Sequence, residues 1–275
     1  MSRFRFASRS IHPFALLAAA GALLSILGFP LPASGQSQDL AAAPLSIEVD
    51  MPRPLSEAIR ELSARHGWVV TYEDPRWAHP SDVLDVTDRY PEAAKKVATG
   101  ELPNRLLQPR SKHLKFSYSM PEVATRRAGE PLVSRLVREA AEGFEVREQG
   151  GVLHVVPTDD LDAEGRLVPH VSPFDLPLQV PAERRTIKET IRAILDAVNR
   201  VSDTPVSFGL VLIDPFDRAT VEIGSEGDRT ARELLVEAMR LEELKTSWLM
   251  LYDPGLQKYF FSVYPVRAPT MPSGP

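Results

Sequence analysis

Cysteine is absent from all 275 residues. Disulfide staples and thiolate zinc sites are excluded by that alone, and a chain of this length must hold its fold by packing. Also missing is an apolar run of the ~20 residues that a membrane-spanning helix needs. The longest run, Phe14–Leu27, falls short. No HxH, HxxxH or HExxH pair occurs among the histidines and no G-x-S-x-G string is present. Local zinc motifs and the nucleophile elbow are thereby absent.

No acidic residue precedes Asp39, while Arg3, Arg5 and Arg9 lie ahead of the apolar run. Helix-breaking Pro30 and Pro32 follow it, then the small residues Ala33-Ser34-Gly35. This order predicts a secretory signal peptide over residues 1–35, cleaved before Gln36, and a mature protein that is periplasmic or secreted. The alternative is an uncleaved anchor, with the apolar run extended to Leu31. No membrane span is expected once the signal is removed. The cleavage removes three arginines and no acids, taking the formal net charge from −5 to −8. A mildly acidic chain does not track phosphate backbones, so nucleic acid is excluded as an expected partner. The 25 prolines exceed the usual ~5% share and fall mostly between apolar segments, as rigid connections do.

Four segments carry helical spacing. They are Leu55/Ala58/Ile59/Leu62 after Pro54, Val133/Leu136/Val137/Ala140 after Pro131, Ile187/Ile191/Ile194/Leu195/Val198, and Ala231/Leu234/Leu235/Ala238. Thr186 with Glu189, and Thr230 with Glu233, predict capping boxes for the last two. Strand-like runs fill the gaps, with Gln149-Gly150-Gly151 and Asp253-Pro254-Gly255 as hairpin turns. Both 45–157 and 175–265 then run strand, helix, strand, strand, helix, strand, strand, which is economically explained by an internal duplication. The expected fold class is α+β, as two tandem β-α-β-β-α-β-β domains with two helices packed between small sheets. The expected boundaries are 36–157 with an insertion at 74–111, a linker at 158–173, a second domain at 174–267 and a tail at 268–275.

The stretch Ile47–Leu62 followed by His66-Gly67-Trp68-Val69-Val70-Thr71-Tyr72 resembles the short N-terminal domain of secretins and TonB-dependent transducers. Segments 219–223, 231–240 and 248–264 look like the closing half of the same module. The resemblance implies two helices between two small sheets, and docking to periplasmic partners. The 74–111 insertion departs from it, being longer than the family's usual connection.

Candidate chemistry is thin. The mature chain has His66, His79, His113, His154 and His170, and no spacing joins them into a metal site. His66 is placed at a helix C-terminus, where a partly positive imidazole suits the dipole. His154, between Leu153 and Val155, is expected to face outward. Asp82, Asp85 and Asp88, near Glu73, Asp74 and His79, offer oxygen ligands without the spacing of a calcium loop. In Tyr72-Glu73-Asp74-Pro75-Arg76-Trp77, adjacent carboxylates on an extended chain point to opposite sides, which argues against an acid/base pair. The string Gly224-Ser225-Glu226-Gly227 reads as a loop. No catalytic residue, cofactor or metal is expected. Trp248, Tyr252 and Tyr259 on the final hairpin, with Trp77, are the candidate binding residues, since Tyr and Trp are favoured at interfaces. The alternative is a core role for most of the hairpin aromatics, half of which alternation turns inward. These readings converge on a non-catalytic docking module whose partner is an envelope protein or a second copy. The alternatives are a hydrolase at the domain junction using Glu73, Asp74 or His79, and a self-assembling structural protein.

Overall fold

A computed structural model of the chain describes residues 44–266, except 103, 120–121, 123–128, 212–213 and 241–244. The signal segment and the tail lie outside the described residues. The class is α+β.

The first half begins with β1 (Leu45–Met51), which runs into α1 (Pro54–His66) and β2 (Val70–Glu73). An insertion follows, made of β3 (Val83–Asp85), α2 (Pro91–Ala98) and β4 (Leu107–Pro109). Then come β5 (Lys112–Tyr118), α3 (Gly129–Ala140), β6 (Phe144–Gln149) and β7 (Val152–Pro157). Pro54 opens α1, where a missing N–H costs nothing. Gly67 closes it in the left-handed conformation (φ 66°), its N–H returning to the Ser63 carbonyl. Leu55, Ala58, Ile59 and Leu62 form the buried face that their spacing predicts. Helices α1 and α3 lie between the two-stranded β1·β5 sheet and the strands β2, β7 and β6.

The second half repeats this. It runs β10 (Pro177–Thr186), α4 (Ile187–Val201), β11 (Val206–Val211), β12 (Thr220–Thr230), α5 (Ala231–Ala238), β13 (Thr246–Asp253) and β14 (Lys258–Pro265). Both expected capping boxes are formed, at Thr186/Glu189 and Thr230/Glu233. Residues 224–227 are not a loop. They lie within β12, which pairs with β10 through two register shifts. Gly224 is needed there, since a Cβ would come within 2.7 Å of Ala182 backbone.

The halves are not separate modules on a linker. Their sheets fuse into one of six strands, β11-β14-β13-β2-β7-β6, within a single compact unit. The joint is a parallel pairing of β13 with β2, with Leu249 opposite Tyr72 and Met250 opposite Glu73. Residues 158–173 are structured as well, forming the hairpin β8 (Asp159–Leu161) and β9 (Leu167–Pro169) with Asp160 and Ser172 buried.

Each half keeps its own core. Along β13, Trp248, Met250 and Tyr252 enter the second-half core, while Leu249 and Leu251 pack against the first. Alternate residues of a strand point to opposite faces, so the two cores lie on opposite sides of the shared sheet. This double cover corrects two expectations. His154 does not face outward; it is fully buried, with Thr71 Oγ1 2.7 Å from its Nδ1 and its ring 5.2 Å from that of Trp248. Nor do Trp248, Tyr252 and Tyr259 offer a docking face, being 2%, 6% and 0% exposed. Their hairpin contains a central strand of the sheet, and central strands have no solvent side when both faces are packed.

Candidate binding site at the seam between the halves

The string Tyr72–Trp77 leaves β2 where the halves meet, and its polar residues are divided between the two sides as alternation requires. Glu73 is 2% exposed, with Oε1 3.1 Å from His170 Nε2 and Oε2 accepting from Arg232 at 3.0 Å. Arg232, on α5, also reaches Asp175 (2.8 Å) and the Ser172 hydroxyl (3.1 Å). His170 Nδ1 lies 2.9 Å from Asp160, whose carboxylate also accepts the backbone N–H and guanidinium of Arg76. Arg147 of β6 closes the chain on Asp175. Charge alternates from Arg76 through Asp160, His170, Glu73, Arg232 and Asp175 to Arg147, so each buried ion has an opposite neighbour on either side. Asp74 turns the other way. It accepts from Arg53 Nε (2.6 Å) and from the Tyr252 N–H (3.0 Å), while its carbonyl takes the Tyr259 hydroxyl.

Burial by itself would lower the His170 pKa; hydrogen bonds to Asp160 and Glu73 outweigh it and raise the value to about 9. At neutral pH both ring nitrogens therefore donate, and the imidazolium has no lone pair to offer as a base. Burial, followed by the charge of Arg232, pushes His154 down to about 3. Burial raises the Asp74 carboxyl against the pull of Arg53. Burial opposes ionisation of Asp160 and Asp175 as well, yet their cationic partners hold both below the usual range. The arrangement is a fixed relay of ion pairs, suited to locking the 158–175 segment onto the shared sheet.

Beside the relay a cavity of about 500 Å³ opens, lined by Leu55, Tyr72, Trp77, Phe144, Leu161 and Arg53 among others. Trp77 is half-buried over the second-half core, and its indole N–H lies out of contact with water with no hydrogen-bond partner among the described residues. The cavity wall mixes these apolar side chains with the charged Arg76, Asp82, Arg110, Lys112 and Asp160, and the buried indole N–H does not open into it.

Of the four candidate binding residues, Trp77 alone lines this cavity, where Asp82 also lies; Trp248, Tyr252 and Tyr259 are core. Glu73 and Asp74 are locked in separate ion pairs, and His79 is apart from both, its Nδ1 against the Ser81 hydroxyl. Asp82, Asp85 and Asp88 do not gather. Among the described residues no group of three or more His, Asp or Glu is placed to hold a metal. His66 ends α1 as its sequence position implies; burial, then Arg65, lowers its pKa, and its Nε2 sits 3.0 Å from the Tyr118 hydroxyl. Sequence reasoning missed Asp160, His170 and Arg232. The signal available was a histidine and an aspartate inside a short segment bracketed by prolines, which also describes an ordinary solvated loop. No protein-family model, curated protein or solved structure matches the chain.

Proposed function

We propose that this chain is an exported, non-catalytic docking protein of the cell envelope, periplasmic or secreted, built from two fused modules of the secretin N-domain kind. Each half places two helices between a two-stranded and a three-stranded sheet, the arrangement which that resemblance implies. One observation carries the docking reading. The halves are joined by strand pairing at a sheet edge, and the six-stranded sheet still ends on two strands, β6 and β11, with no partner strand on their outer sides among the described residues. Unpaired edges are templates for a further strand. No described helix is long and apolar enough to cross a membrane, so on this reading the envelope is reached through a partner.

The test is cross-linking of the tagged protein in cells that make it, followed by identification of the adducts. A dominant envelope protein linked to edge positions supports docking. Recovery of unlinked monomer alone overturns it, as does hydrolytic activity lost on replacing Glu73, Asp74 or His79. The cavity lined by Tyr72, Trp77 and Phe144 favours a second reading, small-ligand binding in it. On that reading a bound ligand changes tryptophan fluorescence in the native chain and not in Trp77→Phe.

A further inference from the structure

As far as Phe208, beyond which β11 shifts register against β14, the two halves can be superimposed residue by residue through their registers. In the first, Val70, Thr71 and Tyr72 lie opposite Leu153, His154 and Val155. In the second, Val206, Ser207 and Phe208 lie opposite Tyr259, Phe260 and Phe261, again in parallel. The hairpins match too, since Val146 faces Val155 and Met250 faces Phe261. Phe208 therefore holds the place of Tyr72, and Val146 that of Met250. It follows that Glu145 and Arg147 hold the places of Leu249 and Leu251.

In the first half the outer edge of β2 is filled by β13. Asp74 N–H donates to the Met250 carbonyl at 2.8 Å, and Leu249 and Leu251 cover the first-half core. Pairing starts only after Val70, whose carbonyl is taken by the Ser247 hydroxyl. Strand β11 has the same start, because the Asn199 side chain takes both the N–H and the carbonyl of Val206. Beyond that residue no strand pairs with its outer side among the described residues, and Phe208 is only partly buried at the rim of the second-half core. As far as Phe208, the edge that β2 uses is thus present a second time, with no strand on it among the described residues.

A second copy does not fit it through the joint that unites the halves. The strand a copy would offer is β6, the counterpart of β13. That strand carries Glu145 and Arg147 where the joint needs two leucines, and Arg147 is already bound to Glu145 and Asp175. Laying those charges on an apolar core would strip their water without a new partner. Inward-pointing charges on an edge strand block pairing between copies.

We propose that the outer edge of β11 at Ser207–Gly209 is a docking site for an extended strand of another protein, running parallel to β11 and carrying apolar residues at the positions of Leu249 and Leu251. This rests on the docking reading and gives it an edge, a direction and a partner chemistry.

The chain's lack of cysteine makes the test direct. The probe is a synthetic peptide of residues 246–253 with cysteine in place of Trp248, the position that the joint's register sets opposite Ser207. The mature chain carries either Ser207→Cys or, as control on the other edge, Arg147→Cys. Under a thiol–disulfide buffer, Ser207→Cys is expected to capture at least about tenfold more peptide than Arg147→Cys. In the joint, the Met250 carbonyl and the Tyr252 N–H face β2. N-methylation at Met250 should therefore abolish capture, whereas methylation at Leu249 and Leu251 should leave it. Tyr252 is no test, because its N–H is accepted in the joint by the Asp74 side chain, which Leu210 replaces. Equal capture by both chains, or indifference to methylation, overturns the proposal. So does concentration-dependent self-association of the unmodified mature protein that is lost on replacing Phe208 with Asp, since a second copy would then be the occupant. If the peptide fails while cross-linking in cells still finds an envelope partner at other positions, the β11 site falls and docking stands. If both fail, the docking reading falls with it.

Discussion

The first and second halves share a topology and differ in what they do with their polar residues. The second half is a nearly self-sufficient unit, with buried Ile187, Ile191, Ile194 and Leu195 on α4 and two capping boxes starting its helices. The first half sends its charged side chains outward to its neighbour, Glu73 to Arg232 and Arg53 to the Tyr252 carbonyl. A repeated topology thus becomes half of a larger unit when its edge strand is paired and its strand-end carboxylates find cations across the seam. Breaking that seam should show how far the halves have become one.

The largest effect is expected at Glu73. Glu73→Ala leaves His170 and Arg232 buried with one carboxylate fewer between them, and breaking a buried pair by removing one partner costs about 3–5 kcal/mol. Urea unfolding measures it. The exposed pair Arg60–Glu57 within α1 supplies the contrast, and Glu57→Ala should cost at most about 0.5 kcal/mol.

Next come the cores. Leu136→Ala in the first half and Ile194→Ala in the second each remove a fully buried side chain and should cost about 2–5 kcal/mol. Because β13 carries side chains into both cores, both substitutions are expected to lower the midpoint of a single unfolding transition. Two resolved transitions in calorimetry, each sensitive to one substitution, would mean that the halves behave as independent domains despite the shared sheet.

The two buried histidines sharpen the comparison through pH. His170 is held at about 9, above the ~6.5 of an unfolded chain, so its contribution is complete below pH ~6.5 and is lost as pH rises through about 9. That loss is on the order of 3 kcal/mol. His154, held at about 3, works in the opposite sense. The unfolded chain binds a proton below pH ~6.5 and the folded one does not, so stability falls as pH drops from there. Urea midpoints measured from pH 4.5 to 9 should form a dome peaking near pH 6.5. His170→Gln should flatten its alkaline limb and His154→Gln its acid limb. A limb that survives the matching substitution assigns that titration to other groups.

What the sequence made legible is what neighbours in the chain decide. The stripes of α1, α3, α4 and α5, the capping boxes, Gly67 and the two hairpin turns are all set within a few residues, and all are found where their spacing puts them. The exposed helix α2 is only eight residues long, and its Ala94, Val97 and Ala98 make too short a stripe to read. The β13·β2 joint was not legible because two short strands roughly 180 residues apart carry no mark of their partner. Once that joint was missed, His154 and Trp248 were assigned by an alternation that assumes one wet face, and the shared sheet has none there. Asp160 and His170 read as solvated because polar side chains seldom enter cores unpaired, and the pairing that admits them is itself long-range.

The smallest effects separate two ways of starting a helix. The second half uses side-chain caps, and Thr186→Ala or Thr230→Ala removes an acceptor for the Glu189 or Glu233 N–H, costing about 1 kcal/mol each. In the first half Arg53 occupies the N-cap of α1 without a capping hydrogen bond, its guanidinium being spent on Asp74 and the Tyr252 carbonyl. There Pro54 fixes the first turn instead, by narrowing the unfolded ensemble, so Pro54→Ala should cost only about 0.4–1 kcal/mol. The two routes respond differently to repair. Thr186→Ser should retain most of the stability that Thr186→Ala loses, since the hydroxyl is what the helix needs. No side chain placed at residue 54 other than proline should recover the loss there, because nothing in the folded state is missing. A urea loss well beyond that in Pro54→Ala would instead mean that the proline acts in the folded state, residue 54 being the first helical residue and not the cap, and that the halves differ less than their helix starts suggest.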